Sequence, residues 1–483
     1  MRLAFAFVIT GALLAGCMVG PDYHRPEVDT PASFRFEDPD PAKTANALWW
    51  EQFQDPVLNA LIESALKNNK DVRIAAARID EFAGRFGATR AQLFPQIGYE
   101  AAAGRDQLSE TTGTPLAPSI DNPQTTYLAI ATASWEIDLW GRVRRLSESA
   151  RADLLASVEG RRAVILTLVS AVANGYIALR DLDTQLAIAR STAKSYEETV
   201  QLFESRYKGG VVSEVELAQV RSQYEQAAAR IPQFEKLVAQ QENLLAILLG
   251  RNPGSIPRGR ALDEFTLPAV PAALPSQLLE QRPDILQAEQ RLIAENALIG
   301  AARAAYYPSI SLTGFLGGAS AELSDLFDSP SKTWNFTGSL LGPIFTGGAI
   351  KGQVLQAEAR QRQALFDYER VIQNAFREVD DALVDHQKSR QQLAAQTRQV
   401  EALRQYARLA WLRFNNGYTS YLEVLDARRS LFDAELERSL TQGVVFQALV
   451  NLYKALGGGW VAEAEKLAGA VDPLAPKKDA QSK

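Results

Sequence analysis

Arg413-Phe414-Asn415-Asn416-Gly417-Tyr418-Thr419-Ser420 is a short break between two long helical patterns, and its reading decides the fold. Gly417 can take the positive φ that a helix C-terminus needs, and Ser420 stands where the next helix needs an N-cap. Upstream, Leu365, Tyr368, Ile372, Phe376, Val379 and Leu383 recur at spacings of three and four, which keeps them on one helical face. No proline occurs between Pro343 and Pro473. At ~1.5 Å per residue, the helix from Gly347 to Asn415 runs roughly 100 Å. That is far beyond an ordinary globular helix. Such a helix is a rod or the wall of a tube.

The same unit occurs earlier. Arg206-Tyr207-Lys208-Gly209-Gly210-Val211-Val212-Ser213-Glu214-Val215-Glu216 matches Arg413 to Glu423 at an offset of 207, which also sets Arg221 on Arg428. Gly87-Ala88-Thr89-Arg90-Ala91-Gln92-Leu93-Phe94-Pro95 matches Gly300 to Pro308 at an offset of 213. Two anchors in the same order at nearly the same offset indicate a duplicated unit.

The chain has 483 residues, enough for one or two domains, and a formal net charge of −6 without any Lys/Arg cluster, which speaks against a nucleic-acid surface. Two His and one Cys leave no material for a zinc site or an internal disulfide. The single Cys is explained by its place. Arg2 opens a charged start, Leu3 to Gly16 is apolar, and Leu14-Ala15-Gly16-Cys17 follows. This is the layout of a secretory signal over residues 1–16, and the apolar run is too short to span a bilayer comfortably. Residues 17–56 begin Cys17-Met18-Val19-Gly20-Pro21-Asp22-Tyr23-His24-Arg25-Pro26 and read as an extended tether.

Here a family resemblance enters. Cys17 followed by Val-Gly-Pro-Asp-Tyr and a proline, then Trp49-Trp50, Phe53, Asp55-Pro56, Leu58 and Ala65-Leu66-Asn68-Asn69, resembles outer-membrane efflux lipoproteins of the TolC superfamily (the NodT/OprM-like branch). These are exit ducts of tripartite resistance-nodulation-division (RND) pumps. The resemblance implies cleavage before Cys17 and acylation of Cys17 in outer-membrane lipid. Met at position 18, in place of Asp, fits sorting to the outer membrane.

Residues 57–249 form the first repeat. Val57 to Leu93 is helical in pattern, and Pro95 ends it. Gln96 to Gly104 and Thr125 to Ile137 alternate in polarity, enclosing a polar loop and giving a β-hairpin over 96–137. Such a hairpin suits a soluble sheet or a transmembrane barrel, whose strands take ~9–11 residues with aromatic girdles. Trp135 and Trp140 lie where a girdle would be. A long helical hairpin covers 141–249, with Pro232 inside its return. Residues 250–275 hold five prolines and read as a linker. The second repeat, 276–457, has its β-hairpin at 309–345 and its helical hairpin at 347–457. Residues 458–483 read as a polar C-terminal tail.

Four strands cannot close a barrel, and lipid does not tolerate open sheet edges. The strands must therefore close with other copies of the chain. The fold class is an α+β membrane protein with an internal duplication. The resemblance implies a homotrimer: a 12-stranded transmembrane β-barrel, four strands per chain, continued by a long α-helical periplasmic barrel.

No catalytic constellation, phosphate loop or metal motif is visible, so no enzyme activity, cofactor or metal is expected. His386, beside Asp385, and Asp380 and Asp381 read as a solvated helix face. Leu422, Asp426 and Arg429 fall four and three apart on one side of a helix's first turns. From the residues alone, Asp426 and Arg429 make an ordinary surface pair. In the resembling lipoproteins the matching Leu-Asp-Arg positions form the periplasmic constriction. Three copies near an axis, with Arg429 or Arg428 close by, would pair within or between subunits and make a gate held by weak bonds. The first hairpin has Val215, Gln219 and Ser222 at the equivalent places. The hairpin tips, Lys208, Gly209, Gly210 and Ser213 with Asn415, Asn416, Gly417 and Ser420, carry turn chemistry. By resemblance they contact a periplasmic adaptor protein serving an inner-membrane RND transporter.

Three other readings compete with the RND duct, one of them a general diffusion porin, which has no use for the long helices. The exit channel of a one-step (type I) protein secretion system shares the superfamily, and the lipoprotein opening favours the RND branch over it. A periplasmic helical scaffold without a pore gives no reason for four alternating strands.

Overall fold

The computed structural model describes residues 18–36, 48–109, 111, 121–268, 270, 275–457, 459–469 and 471. A short 3₁₀ turn at Trp49–Phe53 leads into α1 (Pro56–Asn68) and α2 (Lys70–Ala91). Then come β1 (Gln96–Asp106), β2 (Gln124–Ile137), α3 (Arg142–Lys208) and α4 (Glu214–Leu248). The second half repeats the order with α5 (Pro275–Gln281), α6 (Pro283–Ala304), β3 (Ser309–Ser320), β4 (Lys332–Leu341), α7 (Ala349–Asn415) and α8 (Tyr421–Leu456). A last helix, α9, covers Trp460–Leu467. The long helices α3 and α7 each have 67 residues. The chain falls into two compact units: Met1–Glu27 with Ile79–Ala156 and Ala288–Tyr368, and Val28–Arg78 with Ser157–Gln287 and Glu369–Lys483.

The first unit holds an antiparallel sheet in the order β1-β2-β3-β4. Its register aligns Tyr99, Ala131, Leu316 and Trp334 in one row across all four strands, and Ile97, Ala133, Gly314 and Phe336 in the next. Tyr99, Leu316, Trp334, Phe336 and Ile97 are all more than half exposed. The intervening rows carry Gly98, Thr132, Phe315 and Asn335, or Gln96, Ser134, Thr313 and Thr337, and Ser311 bonds Ser339 at 2.6 Å. A sheet with one apolar, unburied face and one mixed face, where Leu128, Ile130 and Phe315 stand among Ser, Thr, Asn and Gly, has the alternation of a transmembrane barrel wall. Its outer strands β1 and β4 have no further strand beside them among the described residues.

The second unit is helical. Trp49, Trp50 and Trp460 are buried and meet edge to face at 5.6 to 6.0 Å, and Trp49 stacks on Tyr453 at 5.3 Å. Asp55 is fully buried there. It caps α1 by accepting from Val57 N at 2.8 Å and takes the Tyr176 hydroxyl at 2.9 Å and Arg260 N at 3.1 Å. One carboxylate thus ties the start of the first repeat to the proline-rich linker.

Several readings of the sequence change. The helix over Val57 to Leu93 is two helices, because Asn69 turns extended and its side-chain oxygen caps α2 through Asp71 N at 2.8 Å. The amide of Asn69 also donates to Leu248 O at 2.9 Å, a partner 179 residues away. The stretch after Gly459 is not a plain polar tail: α9 buries Trp460, and Arg161 and Arg162 hold its Glu465 at 2.8 and 3.0 Å. His386 does not lie on a solvated face; it is 4% exposed. At the 207-residue offset it occupies the place of Leu179, a fully buried core residue. The segment from Val19 to Arg25 is extended, yet it is bonded along its length to the first unit.

Candidate functional site

Both long hairpins turn by the same device. Gly210 (φ +70°) and Gly417 (φ +76°) take the left-handed conformation that ends a helix. Val211 N donates to Arg206 O at 2.9 Å, and Tyr418 N donates to Arg413 O at 2.9 Å. Behind the turns the hairpins pack on each other. Phe203 lies 4.3 Å from Tyr421 and 5.9 Å from Phe414, ring centre to ring centre, and Leu217, Val220, Val424 and Leu425 complete the cluster. The tip residues Lys208, Gly209, Gly210, Ser213, Asn415, Asn416, Gly417 and Ser420 all stay exposed.

The starts of the return helices differ. Ser213 forms a capping box: its hydroxyl accepts from Glu216 N at 3.3 Å, and Glu216 accepts from Ser213 N at 2.8 Å. Ser420 sits at the N-cap of α8 but its side chain makes no capping bond. The matching acid, Glu423, is taken instead by Arg413 at 3.1 Å and by the Thr419 hydroxyl.

One turn further on, Leu422, Asp426 and Arg429 line a pocket of about 220 Å³ with Gln219, Ser222 and Gln223 of α4. Arg429 Nη2 donates to Asp426 Oδ1 at 3.0 Å, with both side chains about half exposed. Leu422 is 62% exposed. The structure therefore brings the three candidate gate residues onto one wet surface and gives the charges to each other within the chain. Such a pair is worth at most ~1 kcal/mol.

Arg428 points elsewhere. Its guanidinium lies 4.7 Å from the Trp411 ring centre and donates to Thr199 Oγ1 at 3.0 Å. Tyr196 and Tyr421 are buried near it, and burial pushes both phenols up to about 12, partly offset by the Arg428 charge. Arg428 thus joins α3, α7 and α8, and leaves Asp426 to Arg429. Thr199 and Trp411 carry no motif that would have announced this; the pairing of Arg428 with Arg221 in the repeat alignment is the only trace of it in the sequence.

The Outer membrane efflux protein family model matches residues 61–251 and again 274–458. The chain belongs to this family. Over 463 residues it is 36% identical to the probable efflux pump outer membrane protein TtgC of Pseudomonas putida, covering 94% of this chain and 95% of that one. It is 37% identical to the probable outer membrane lipoprotein SilC of Salmonella typhimurium, covering 95% of this chain and 99% of the relative. The crystal structure of the open state of the Neisseria gonorrhoeae MtrE outer membrane channel superposes with a TM-score of 0.83 at 34% identity, over 92% of this chain and 99% of that chain. The protein is an outer-membrane efflux channel: the four-stranded sheet is its membrane-spanning part and the long helical hairpins its periplasmic part. Two separate matches to one family model also fit the duplication. Cys17 lies outside the described residues.

Proposed function

We propose that this chain is the passive exit duct of a tripartite RND-type efflux pump, gated at its helical end. Three copies join β4 of one to β1 of the next, closing a barrel of twelve strands. Acylation of Cys17 anchors each copy in outer-membrane lipid. The exposed tips at Lys208 to Ser213 and Asn415 to Ser420 contact a periplasmic adaptor, which links the duct to the inner-membrane transporter. The duct performs no catalysis and uses no cofactor; selection of cargo lies with the pump.

The observation that carries the gate is the surface formed by Leu422, Asp426 and Arg429. It pairs a free-standing apolar side chain with a weak, wet ion pair one turn beyond the hairpin. Around a three-fold axis, this surface gives an apolar ring and a ring of exchangeable charge. Single-channel conductance in a planar bilayer tests it, wild type against Asp426→Ala with Arg429→Ala. Low, rarely open conductance that rises severalfold in the variant supports duct and gate together. A wild-type pore that is already open keeps the duct and removes this gate. Absence of conductance in both, from acylated trimer, removes the duct.

A further inference from the structure

The two repeats surround one matched arginine with opposite chemistry. Arg221 lies in a cleft of the first hairpin with Glu204, Glu214 and Glu225, and Glu204 pairs with it at 2.7 Å. At the 207-residue offset the arginine becomes Arg428, and the three glutamates become Trp411, Tyr421 and Phe432. The positive charge is kept, and each of these carboxylates is exchanged for an aromatic ring.

Arg428 is thereby left without an anion. Among the described residues its contacts are the Trp411 ring, 4.7 Å away, and Thr199 Oγ1. The Thr199 hydroxyl gives its own proton to Ser195 O at 2.8 Å, so toward Arg428 it only accepts. Stacking on a ring uses the face of a guanidinium and leaves its in-plane N–H donors available. Two further donors lie beside it. The hydroxyls of Tyr196 and Tyr421 have no hydrogen-bond partner, although these residues are only 2% and 1% exposed. Both phenols feel the Arg428 charge. Buried polar groups are normally paired. This corner of the fold therefore has donors in surplus and lacks an acceptor.

There is room for one. Tyr196, Arg428, Trp411 and Phe432 line a cavity of about 300 Å³ between α3, α7 and α8, with Ser195 and Arg408 also on its wall. Its carboxylate, Glu435, is already held by Arg404 at 2.8 Å. A cavity of that size suits a small molecule and no more.

We propose that this cavity binds a small oxyanion, a phosphate or a short carboxylate, on the in-plane edge of Arg428. The anion supplies the acceptor that Glu204 supplies in the first hairpin. Charge-assisted hydrogen bonds from a guanidinium are strong, and the aromatic walls strengthen them further by lowering the local dielectric. The site is separate from the Asp426–Arg429 pair, which lines a different pocket, so its failure would leave the duct and the gate untouched.

Phenylglyoxal modifies guanidinium groups, and a bound oxyanion shields the one it sits on. The test follows the modification rate of Arg428 in the full-length trimer by peptide mass spectrometry, with Arg429 and Arg221 on the same molecules as references. The probes are inorganic phosphate and succinate, each against chloride at equal ionic strength. Two charge-assisted bonds at a half-open site correspond to a dissociation constant on the order of 1 mM, so roughly 10 mM probe should slow Arg428 about tenfold and leave Arg429 within about twofold. Slowing by one probe alone still supports the site and narrows its ligand to that probe's class. Trp411→Glu returns the carboxylate of the first repeat to this place and keeps Arg428; protection by either probe should then vanish. Equal rates in chloride and in both probes overturn the proposal. So does an equal slowing of all three arginines, which is a general salt effect, and so does protection that persists in full in Trp411→Glu. An Arg428 that is already unreactive in chloride overturns it as well, because a neighbouring copy then supplies the acceptor. If Trp411→Glu fails to assemble, the wild-type comparison decides by itself.

Discussion

The two helical hairpins share one turn and differ in almost everything that follows it. Gly210 and Gly417 close their helices alike, because only a left-handed residue ends a helix that way without strain. Beyond the turn, the first hairpin is closed locally: a capping box at Ser213 and a surface pair of Arg221 with Glu204 at 2.7 Å. The second is held by longer reach. Its Ser420 caps nothing through its side chain, and Arg428, the counterpart of Arg221, crosses to Trp411 and Thr199. The exposed charges Asp426 and Arg429 exist only there. A duplicated element has thus kept its turn geometry while its contacts diverged, the capping box standing on the first hairpin and the exposed Asp426–Arg429 pair on the second.

The sharpest way to break this comparison is to exchange the two surfaces. Asp426→Ala with Arg429→Ala should raise channel conductance severalfold. Gln219→Ala with Ser222→Ala, on the facing helix of the same pocket, should leave it within about twofold, since no ion pair is lost. An equal rise in both would mean that the pocket matters and the charges do not.

Next in size comes Arg428→Ala. It removes a cation–π contact and a hydrogen bond, for a loss of about 2 kcal/mol. Arg221→Ala removes only an exposed pair and should cost roughly 0.5 kcal/mol. Denaturant unfolding of the two variants side by side measures the gap, and equal losses would refute this divergence.

The caps come third. Ser213→Ala should destabilise α4 by about 1 kcal/mol, and Ser420→Ala should cost only a few tenths, because no side-chain bond is lost. Hydrogen exchange at Glu216 and Glu423 amides reads this directly.

The smallest effect is pH-dependent and lies between α3 and α8. Asp181 is 5% exposed; burial raises its carboxyl above the usual range, while Ser439 at 2.6 Å and Gln185 at 2.8 Å lower it. Its counterpart at the 207 offset, Lys388, is exposed. A folded-state pKa above the unfolded one means that the folded protein holds the proton more tightly. Stability is therefore lowest above the folded pKa and recovers as pH falls through it. Asp181→Asn should raise the melting temperature slightly at neutral pH, with the gain vanishing toward acid. A gain that persists in acid would show that charge is not the cause.

Much of this was legible in advance because it is local. The three- and four-residue spacing from Leu365 through Tyr368, Ile372, Phe376 and Val379 to Leu383 is a helix whatever surrounds it, and Tyr368, Ile372, Val379 and Leu383 are buried in the structure. The strands at Ser309 and Lys332 alternate because a pleat does. The break at Asn69 and the helix at Trp460 were not legible, because each is tied to a partner far away in the chain, Leu248 and Trp49 respectively; nor was the burial of His386. The repeat alignment held an unused hint for His386, whose counterpart Leu179 is apolar.

The sequence by itself determined the extent of the long hairpin helices, the place of their turns and the alternation of the strands, since these follow from backbone geometry and side-chain period within a few residues. Tertiary structure decided which of two matched positions acquires a partner. Gly300 is covered and Gly87 bare; Arg428 turns inward and Arg221 outward. Those outcomes rest on contacts between residues up to 280 positions apart, as between Gly20 and Gly300. No local pattern encodes such a contact, because its free energy appears only when folding brings the two segments together.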